Sequence, residues 1–150
     1  MINYFDEAEK ILRSRSALEQ ALKNLERRKE RVIAKSAPAE LPTIDFSKGY
    51  TSRQIVNDAL SECLELAEVM REISFTRETL SEIDDVINQL SPEDITILRL
   101  WYIDRKPKEA IAEELNYSST TTIYDMRNKA VSRFALLYFG AGALASTDGY

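Results

Sequence analysis

Apolar residues in the first 35 positions recur with the period of a long amphipathic helix. Tyr4, Ile11, Leu18, Leu25 and Val32 are each separated by seven residues. Such a repeat places every member on one side of a helix, where it can pack against a second helix. The sequence therefore predicts one long helix with a single apolar seam at the start of the chain.

A second helical pattern spans residues 51–90. The sequence Thr51-Ser52-Arg53-Gln54 at its start fits a capping box. Ser74-Phe75-Thr76 is the most favourable place for an interruption, and the chain's single cysteine, Cys63, is expected to be a buried thiol in the apolar seam. The apolar positions of this pattern are Val56, Ala59, Cys63, Leu66, Met70, Ile73, Leu80, Ile83, Ile87 and Leu90.

Residues 36–50 separate the two patterns and predict a linker. Pro38, Pro42 and Gly49 prevent a continuous helix through this stretch. The linker is long enough for the two helices to form an antiparallel hairpin within one chain, while a parallel dimer would pair identical seams between two chains. The sequence leaves both arrangements open. Three side chains of the linker are expected to dock on the helices: Ile44, Phe46 and Tyr50.

Residues 91–140 predict three shorter helices with two tight connections. Ser91 is placed to cap the first helix, and Pro107 opens the second. Asn116 is expected to end the second helix in the left-handed conformation that glycine usually adopts. The third helix begins with Ser118 or Ser119 as its N-cap. The last two helices therefore have the spacing of a helix-turn-helix.

Successive residues of an α-helix are rotated by about 100° around its axis, and this rotation divides the third helix into an apolar face and a polar face. The polar face is rich in groups that could hydrogen-bond to base edges in a DNA major groove, as a recognition helix does. The apolar face is predicted at Ile123, Met126, Ala130, Phe134 and Leu137, and the polar face at Thr121, Asp125, Asn128 and Ser132, with Tyr124 and Lys129 at its edges.

The C-terminal third of the chain resembles a known family of domains. The runs Leu90–Pro92, Ile97–Tyr102, Ile111–Ser118 and Thr122–Tyr124 are similar to the helix-turn-helix of bacterial sigma factors that reads the minus-35 promoter element. Together with a long helical N-terminal part, the chain resembles the ArpU- and RinA-type late-gene regulators of phages and prophages. The resemblance implies a DNA-binding transcriptional regulator, an activator of phage late genes.

This interpretation assigns two sets of residues to double-stranded DNA. The base-reading set is Ser119, Thr120, Thr121, Tyr124, Asp125 and Asn128. The phosphate-binding set is Arg105, Lys106, Lys108, Arg127, Lys129 and Arg133. Two alternative functions share the same pattern: a protein-binding adaptor that engages RNA polymerase or a sigma factor, and a DNA-packaging subunit similar to a small terminase.

The charge of the chain is the main observation against DNA binding. The formal net charge is −5, whereas a protein that binds a duplex normally has a basic surface. Between residues 91 and 140, seven basic side chains are balanced by seven acidic ones. Weak intrinsic affinity would therefore need support from a homodimer or from a polymerase partner.

Composition narrows the class of protein further. Glycine and proline are few and no alternating β-strand pattern is present, so the sequence predicts an all-α protein. With no histidine, a single cysteine and no glycine-rich phosphate loop, we expect neither an enzyme nor a metal or cofactor site. No signal peptide or membrane span is expected, so the predicted location is the cytoplasm of a bacterial host. The predicted modules are 1–90, 91–140 and a tail at 141–150.

Overall fold

The computed structural model of the chain describes residues 2–36 and 52–144. Within these ranges the protein contains α-helices and short helical turns, with no strand, which confirms the predicted all-α class. The α-helices are α1 (Tyr4–Ser36), α2 (Ser52–Asn88), α3 (Pro92–Leu98), α4 (Lys108–Glu114) and α5 (Thr120–Phe139). A π-helical turn, Arg99–Ile103, follows α3, and a 3₁₀ turn, Ala141–Ala143, follows α5.

Some of the sequence-based predictions lie outside the described residues. They are the linker from residue 37 onward, the docking of Ile44, Phe46 and Tyr50, the capping box that begins at Thr51, and the tail from residue 145.

The chain divides into two compact units. One unit contains the residues up to 19 together with those from 79 onward, and the other contains residues 20–78. The first unit is built around a single apolar cluster to which α1, the end of α2, and α3 to α5 all contribute. Its most deeply buried members are Ala8, Ile83, Ile97, Leu98, Ile111, Ile123, Ala130, Val131, Phe134, Ala135 and Ala143. The compact unit that holds residues 91–140 thus includes the beginning of α1.

In the first turns of α1 the buried side is shifted by one residue from the seven-residue repeat, whereas Val32 at the other end of the repeat is almost completely buried as predicted. Phe5, Ala8 and Leu12 are almost completely buried, while Tyr4 and Ile11 are only half-buried. The seven-residue period correctly indicated a helix with one apolar side. It did not fix the centre of that side, because a helix packed against several neighbours buries a wider arc than a two-stranded coiled coil does.

Two predictions for α2, the interruption and the burial of Cys63, are wrong, and the predicted seam is correct only in part. The helix continues without a break through Ser74–Thr76, and Thr76 faces inward and is buried. Of the predicted seam, Ile73, Leu80, Ile83, Ile87 and Leu90 are buried. By contrast, Cys63 is exposed rather than buried, and Val56 and Met70 are exposed as well. The apolar period therefore marks a packed surface only in the second half of this helix.

The local signals between residues 91 and 119 act as expected. The Ser91 hydroxyl accepts a hydrogen bond from the Asp94 backbone N–H at 3.3 Å and caps α3. Asn116 follows α4 with a φ of 63°, the left-handed conformation that was predicted. Of the two candidate N-caps for α5, Ser119 is the one used, and its hydroxyl accepts from the Thr121 N–H at 3.2 Å. These three residues mark the start of α3, the end of α4 and the start of α5.

In each unit, α1 contacts α2 of the same chain through an ion pair. In the first unit the Arg15 guanidinium donates to both carboxylate oxygens of Asp84, at 2.6 and 3.0 Å. In the second unit Arg77 donates to Glu26 at 3.0 Å. No helix among the described residues combines the length and apolar character that crossing a membrane requires.

Candidate functional site

The exposed face of α5 contains most of the predicted base-reading residues. Thr121, Tyr124, Asp125 and Asn128 are spaced at i, i+3, i+4 and i+7, so they share one side of the helix. Thr121 and Asp125 are exposed, Tyr124 is 37% exposed, and Asn128 is half-buried. Side chains of this length on an exposed helix face can donate to and accept from a polar ligand. We call these four residues the α5 face.

The two remaining base-reading candidates lie at the start of α5. The Ser119 hydroxyl serves as the N-cap, so its oxygen accepts a backbone hydrogen bond in the free protein. Thr120 is half-buried. Ser132, which the sequence placed on the polar face, is also half-buried, and its hydroxyl has no hydrogen-bond partner among the described residues. The polar face is therefore shorter than predicted and is restricted to the first half of the helix.

The apolar face of α5 also differs from the prediction at its C-terminal end. Ile123, Ala130 and Phe134 are fully buried as expected, but Leu137 is 46% exposed. Val131 and Ala135 are buried instead. The buried arc drifts around the helix because the period is 3.6 residues rather than 3.5, so positions chosen at the N-terminal end leave the core within a few turns.

Lys108 at the start of α4 connects to the α5 face. Its ammonium donates a hydrogen bond to the Tyr124 hydroxyl at 3.2 Å and lies 5.1 Å from the centre of the Tyr124 ring. The hydrogen bond to Tyr124 raises the pKa of Lys108 above the ordinary lysine value of 10.5. A cation is thus placed directly beside the α5 face.

A group of polar and aromatic side chains beneath the α5 face is organised by one carboxylate of α1. Oε2 of Glu9 accepts from Arg13 at 2.7 Å, from the Tyr102 hydroxyl at 3.0 Å and from Arg127 at 3.4 Å. The Arg127 guanidinium also lies 4.7 Å from the centre of the Trp101 ring, a cation–π distance. We call Glu9, Arg13, Trp101, Tyr102 and Arg127 the Glu9 cluster.

The Glu9 cluster fixes the position of Tyr124 on the α5 face. The Trp101 and Tyr124 rings meet edge to face with 5.4 Å between their centres. Arg127, whose carbon Cζ lies 5.7 Å from the Tyr124 ring centre, lies on the same helix three residues further on. A carboxylate on α1 therefore sets the surroundings of a candidate DNA-contacting side chain more than one hundred residues away in the sequence.

Burial raises the pKa of the Tyr102 hydroxyl well above the ordinary value of 10.0, because the phenolate form would lose its hydration; Arg127 opposes this shift and Glu9 reinforces it. Below pH 10 the phenol is neutral in both the folded and the unfolded protein. Above pH 10 the unfolded chain releases the proton while the folded protein retains it, so proton release favours unfolding.

We therefore predict that the first unit loses stability as the pH rises from 10 to 12, by up to about 1.4 kcal/mol per pH unit from Tyr102 alone. The measurement is urea denaturation of the wild type and of Tyr102→Phe at each pH. The phenylalanine variant should show a smaller slope, since it lacks the titrating hydroxyl, while lysine titration affects both proteins equally. Equal slopes would contradict the prediction.

The six candidate phosphate ligands fall into two groups. Four are engaged within the chain: Arg127 with Glu9, Arg133 with Asp94, Lys106 with Glu114 and Lys108 with Tyr124. The Arg133 contact is the tightest, because one nitrogen reaches both oxygens of the buried Asp94, at 2.7 and 2.9 Å. Among the described residues, Arg105 and Lys129 are exposed and contact no carboxylate.

Sequence reasoning did not identify Glu9 as part of this site. The residue lies in a helix with charged residues throughout, and nothing in its spacing distinguishes it from Glu7. Only the packing of α1 against the π-helical turn and α5 brings its carboxylate to Tyr102 and Arg127. The signal that could have found it is indirect: Arg127 lies one helical turn from the apolar positions Ile123 and Ala130, so its guanidinium is close to the core, where it needs an acidic partner.

Comparison with known proteins identifies a family but no individual relative. No curated protein and no solved structure matches the chain. Residues 49–135, more than half of the chain, match a family described as protein of unknown function, DUF1492. The matched segment includes α2, the whole of α3 and α4, and α5 up to Ala135, so it covers the α5 face, Trp101, Tyr102 and Arg127. This chain belongs to the DUF1492 family.

Proposed function

We propose that this protein is a sequence-specific DNA-binding regulator of transcription, an activator of phage late genes of the ArpU and RinA type. In this proposal α4 and α5 form a helix-turn-helix similar to that of sigma factors, and α5 enters the major groove. The observation that supports it best is the α5 face: exposed Thr121 and Asp125 beside Tyr124 and Asn128, with a lysine at its edge. Hydroxyl and amide groups on one helix face are the groups that recognise base edges.

The internal ion pairs limit how strongly such a protein would depend on salt. Arg127 and Arg133 neutralise largely buried carboxylates of their own chain, whereas the pair between Lys106 and Glu114 is exposed and opens at little cost, so four candidate phosphate ligands remain: Arg105, Lys106, Lys108 and Lys129. Four phosphate contacts correspond to a slope of about −3 to −4 per protomer in a plot of log affinity against log salt. This modest slope agrees with the acidic composition of the whole chain.

The first test is selection of bound duplexes from a random DNA pool at near-physiological salt. We expect the wild type to enrich one sequence motif, and the double variant Thr121→Ala, Asn128→Ala to lose that motif, because each base contact contributes about 1–3 kcal/mol of discrimination. Thr121 is exposed and Asn128 is only half-buried, so replacing the two polar side chains with alanine should leave the fold intact. A wild type that enriches nothing would contradict the proposal.

Lys108 should act differently from the base-reading residues. Lys108→Ala is expected to weaken binding to every sequence alike and to reduce the salt slope by about one unit. A matched control is Arg99→Ala, which also removes one exposed cation. Arg99 lies in a surface pocket that contains no residue of α5, so this substitution should leave the salt slope unchanged. The measurement is fluorescence anisotropy over a range of salt concentrations. Equal slopes for the wild type and Lys108→Ala would contradict the assignment.

A second candidate function is an adaptor that binds RNA polymerase or a sigma factor without reading bases. The pairing of most candidate phosphate ligands with groups of their own chain favours this alternative. The duplex selection separates the two functions, since an adaptor would enrich no motif. Co-purification with RNA polymerase would then be expected, with loss of binding when Tyr124 or Lys129 is replaced.

A further inference from the structure

The first half of α2 exposes a continuous apolar surface. We call it the α2 stripe and define it by Ile55, Val56, Leu60, Cys63, Leu64 and Met70. The five large side chains other than Cys63 are between 43% and 63% exposed, and the cysteine is exposed as well. Because successive residues are rotated by about 100° around the helix axis, these six positions cover roughly half of the helix circumference. A soluble helix rarely leaves so wide an apolar arc in water unless something binds there.

The polar residues of the same segment occupy the other half of the helix. Asp58, Ser61 and Glu65 lie on the side opposite Cys63. Between residues 53 and 70 the segment has four acidic side chains and one basic side chain. This charge disfavours an anionic lipid surface as the occupant, because helices that lie on such membranes have basic polar faces. The stripe itself contains no charged residue, so contact between the stripes of two chains would bring no like charges together.

The size of the α2 stripe fits a symmetric contact. The six side chains of the stripe are each about half exposed and together present about 500 Å² of apolar surface per chain. Contact between two stripes would therefore bury about 1,000 Å² in total. This area is near the lower limit for a specific interface between proteins. The stripe is also self-complementary in sequence, because Val56 and Met70 lie at equal distances on either side of Cys63.

We propose that the α2 stripe is the surface through which two copies of this chain pair. In a two-fold pairing centred on the stripe, whether the two helices are parallel or antiparallel, the two Cys63 side chains lie next to each other. The pairing buries the apolar side chains of both copies, and the acidic faces remain in water. This inference does not depend on DNA binding, because it concerns self-association of the free protein.

The test begins with the mass of the full chain in solution, measured by light scattering between about 1 and 100 µM. We expect a dimer for the wild type, and at least a tenfold weaker dimer for Leu60→Glu, because pairing would bury an isolated carboxylate. Ser61→Glu is the matched control, since it adds the same charge one residue away on the polar side. Leu60 and Ser61 are both exposed in the single chain, so neither variant should disturb its folding.

A second readout uses the single cysteine. A short bismaleimide should join two chains efficiently through Cys63, and much less efficiently in a variant with Cys63→Ser and Ser61→Cys, whose thiol lies on the polar side. A wild type that is monomeric up to 100 µM would overturn the proposal. A second result would also overturn it: the Leu60→Glu and Ser61→Glu variants form dimers of equal affinity, and thiols at positions 63 and 61 cross-link with equal efficiency.

Discussion

Replacement of Phe5 with alanine is expected to destabilise the unit that contains the α5 face by about 3–5 kcal/mol. Phe5 is 4% exposed and belongs to the same apolar cluster as Ile97, Ile123 and Phe134. Truncating an aromatic side chain in such a cluster removes its transfer free energy and leaves a cavity that the neighbours fill only in part. A domain of this size has a total stability of about 5–15 kcal/mol, so the loss would be severe.

Urea denaturation followed by tryptophan fluorescence measures this effect directly, because the only tryptophan of the chain, Trp101, belongs to the same unit. Ile2→Ala is the control: Ile2 lies three residues away but is 62% exposed, so its truncation should cost less than about 0.5 kcal/mol. Similar stabilities for the two variants would mean that residues 91–140 fold without the start of α1.

Replacement of Glu9 with alanine should produce the second largest effect, a loss of about 2–4 kcal/mol. The side chains of Glu9 and Arg127 are only 15% and 14% exposed. Without the carboxylate, the charge of Arg127 would be left largely buried with no acidic partner, and the Tyr102 hydroxyl would lose its acceptor. Both losses destabilise the packing beneath Tyr124, so the DNA affinity that we propose for the α5 face should fall together with stability.

A double-mutant cycle separates the ion pair from the rest of the effect. Arg127→Met keeps an unbranched side chain over the Trp101 ring and removes the charge that Glu9 neutralises. We expect the combination Glu9→Ala, Arg127→Met to be more stable, by at least about 1 kcal/mol, than the sum of the single effects. Glu7→Ala, which removes an exposed carboxylate 3.7 Å from Lys10, should change stability by less than about 1 kcal/mol. Additive effects of Glu9 and Arg127 would contradict the proposed role of the cluster.

The features that the sequence predicted correctly depend on neighbouring residues. A serine hydroxyl caps a helix within its own first turn, and an asparagine adopts positive φ because of its own side chain, so Ser91, Ser119 and Asn116 could all be placed in advance. The exposed positions of the α5 face were predicted in the same way, because only the local helical period is needed to separate Thr121 and Asp125 from Ile123.

The features that the sequence did not predict depend on contacts between distant segments. The period of α2 is the same in its exposed and its buried half, since an apolar stripe does not specify what covers it. Cys63 was therefore expected to be buried with Ile73 and Ile83. The partners of Glu9 were missed for a related reason: Tyr102 and Arg127 lie 93 and 118 residues away, and no local pattern links a carboxylate to such partners.

The π-helical turn that follows α3 has a consequence for how the chain tolerates changes in length. Its backbone is closed by the Asp104 N–H, which donates to the Arg99 carbonyl at 2.8 Å, five residues back instead of the usual four. The turn therefore accommodates one residue more than an α-helix would. Deleting one residue at the start of the turn would allow an ordinary α-helix to form, and each of the remaining residues inside the turn would shift toward the position of the residue before it. Trp101 and Tyr102 would then no longer contact Arg127 and Glu9. The Glu9 cluster therefore depends on the number of residues in this turn as well as on the side chains themselves.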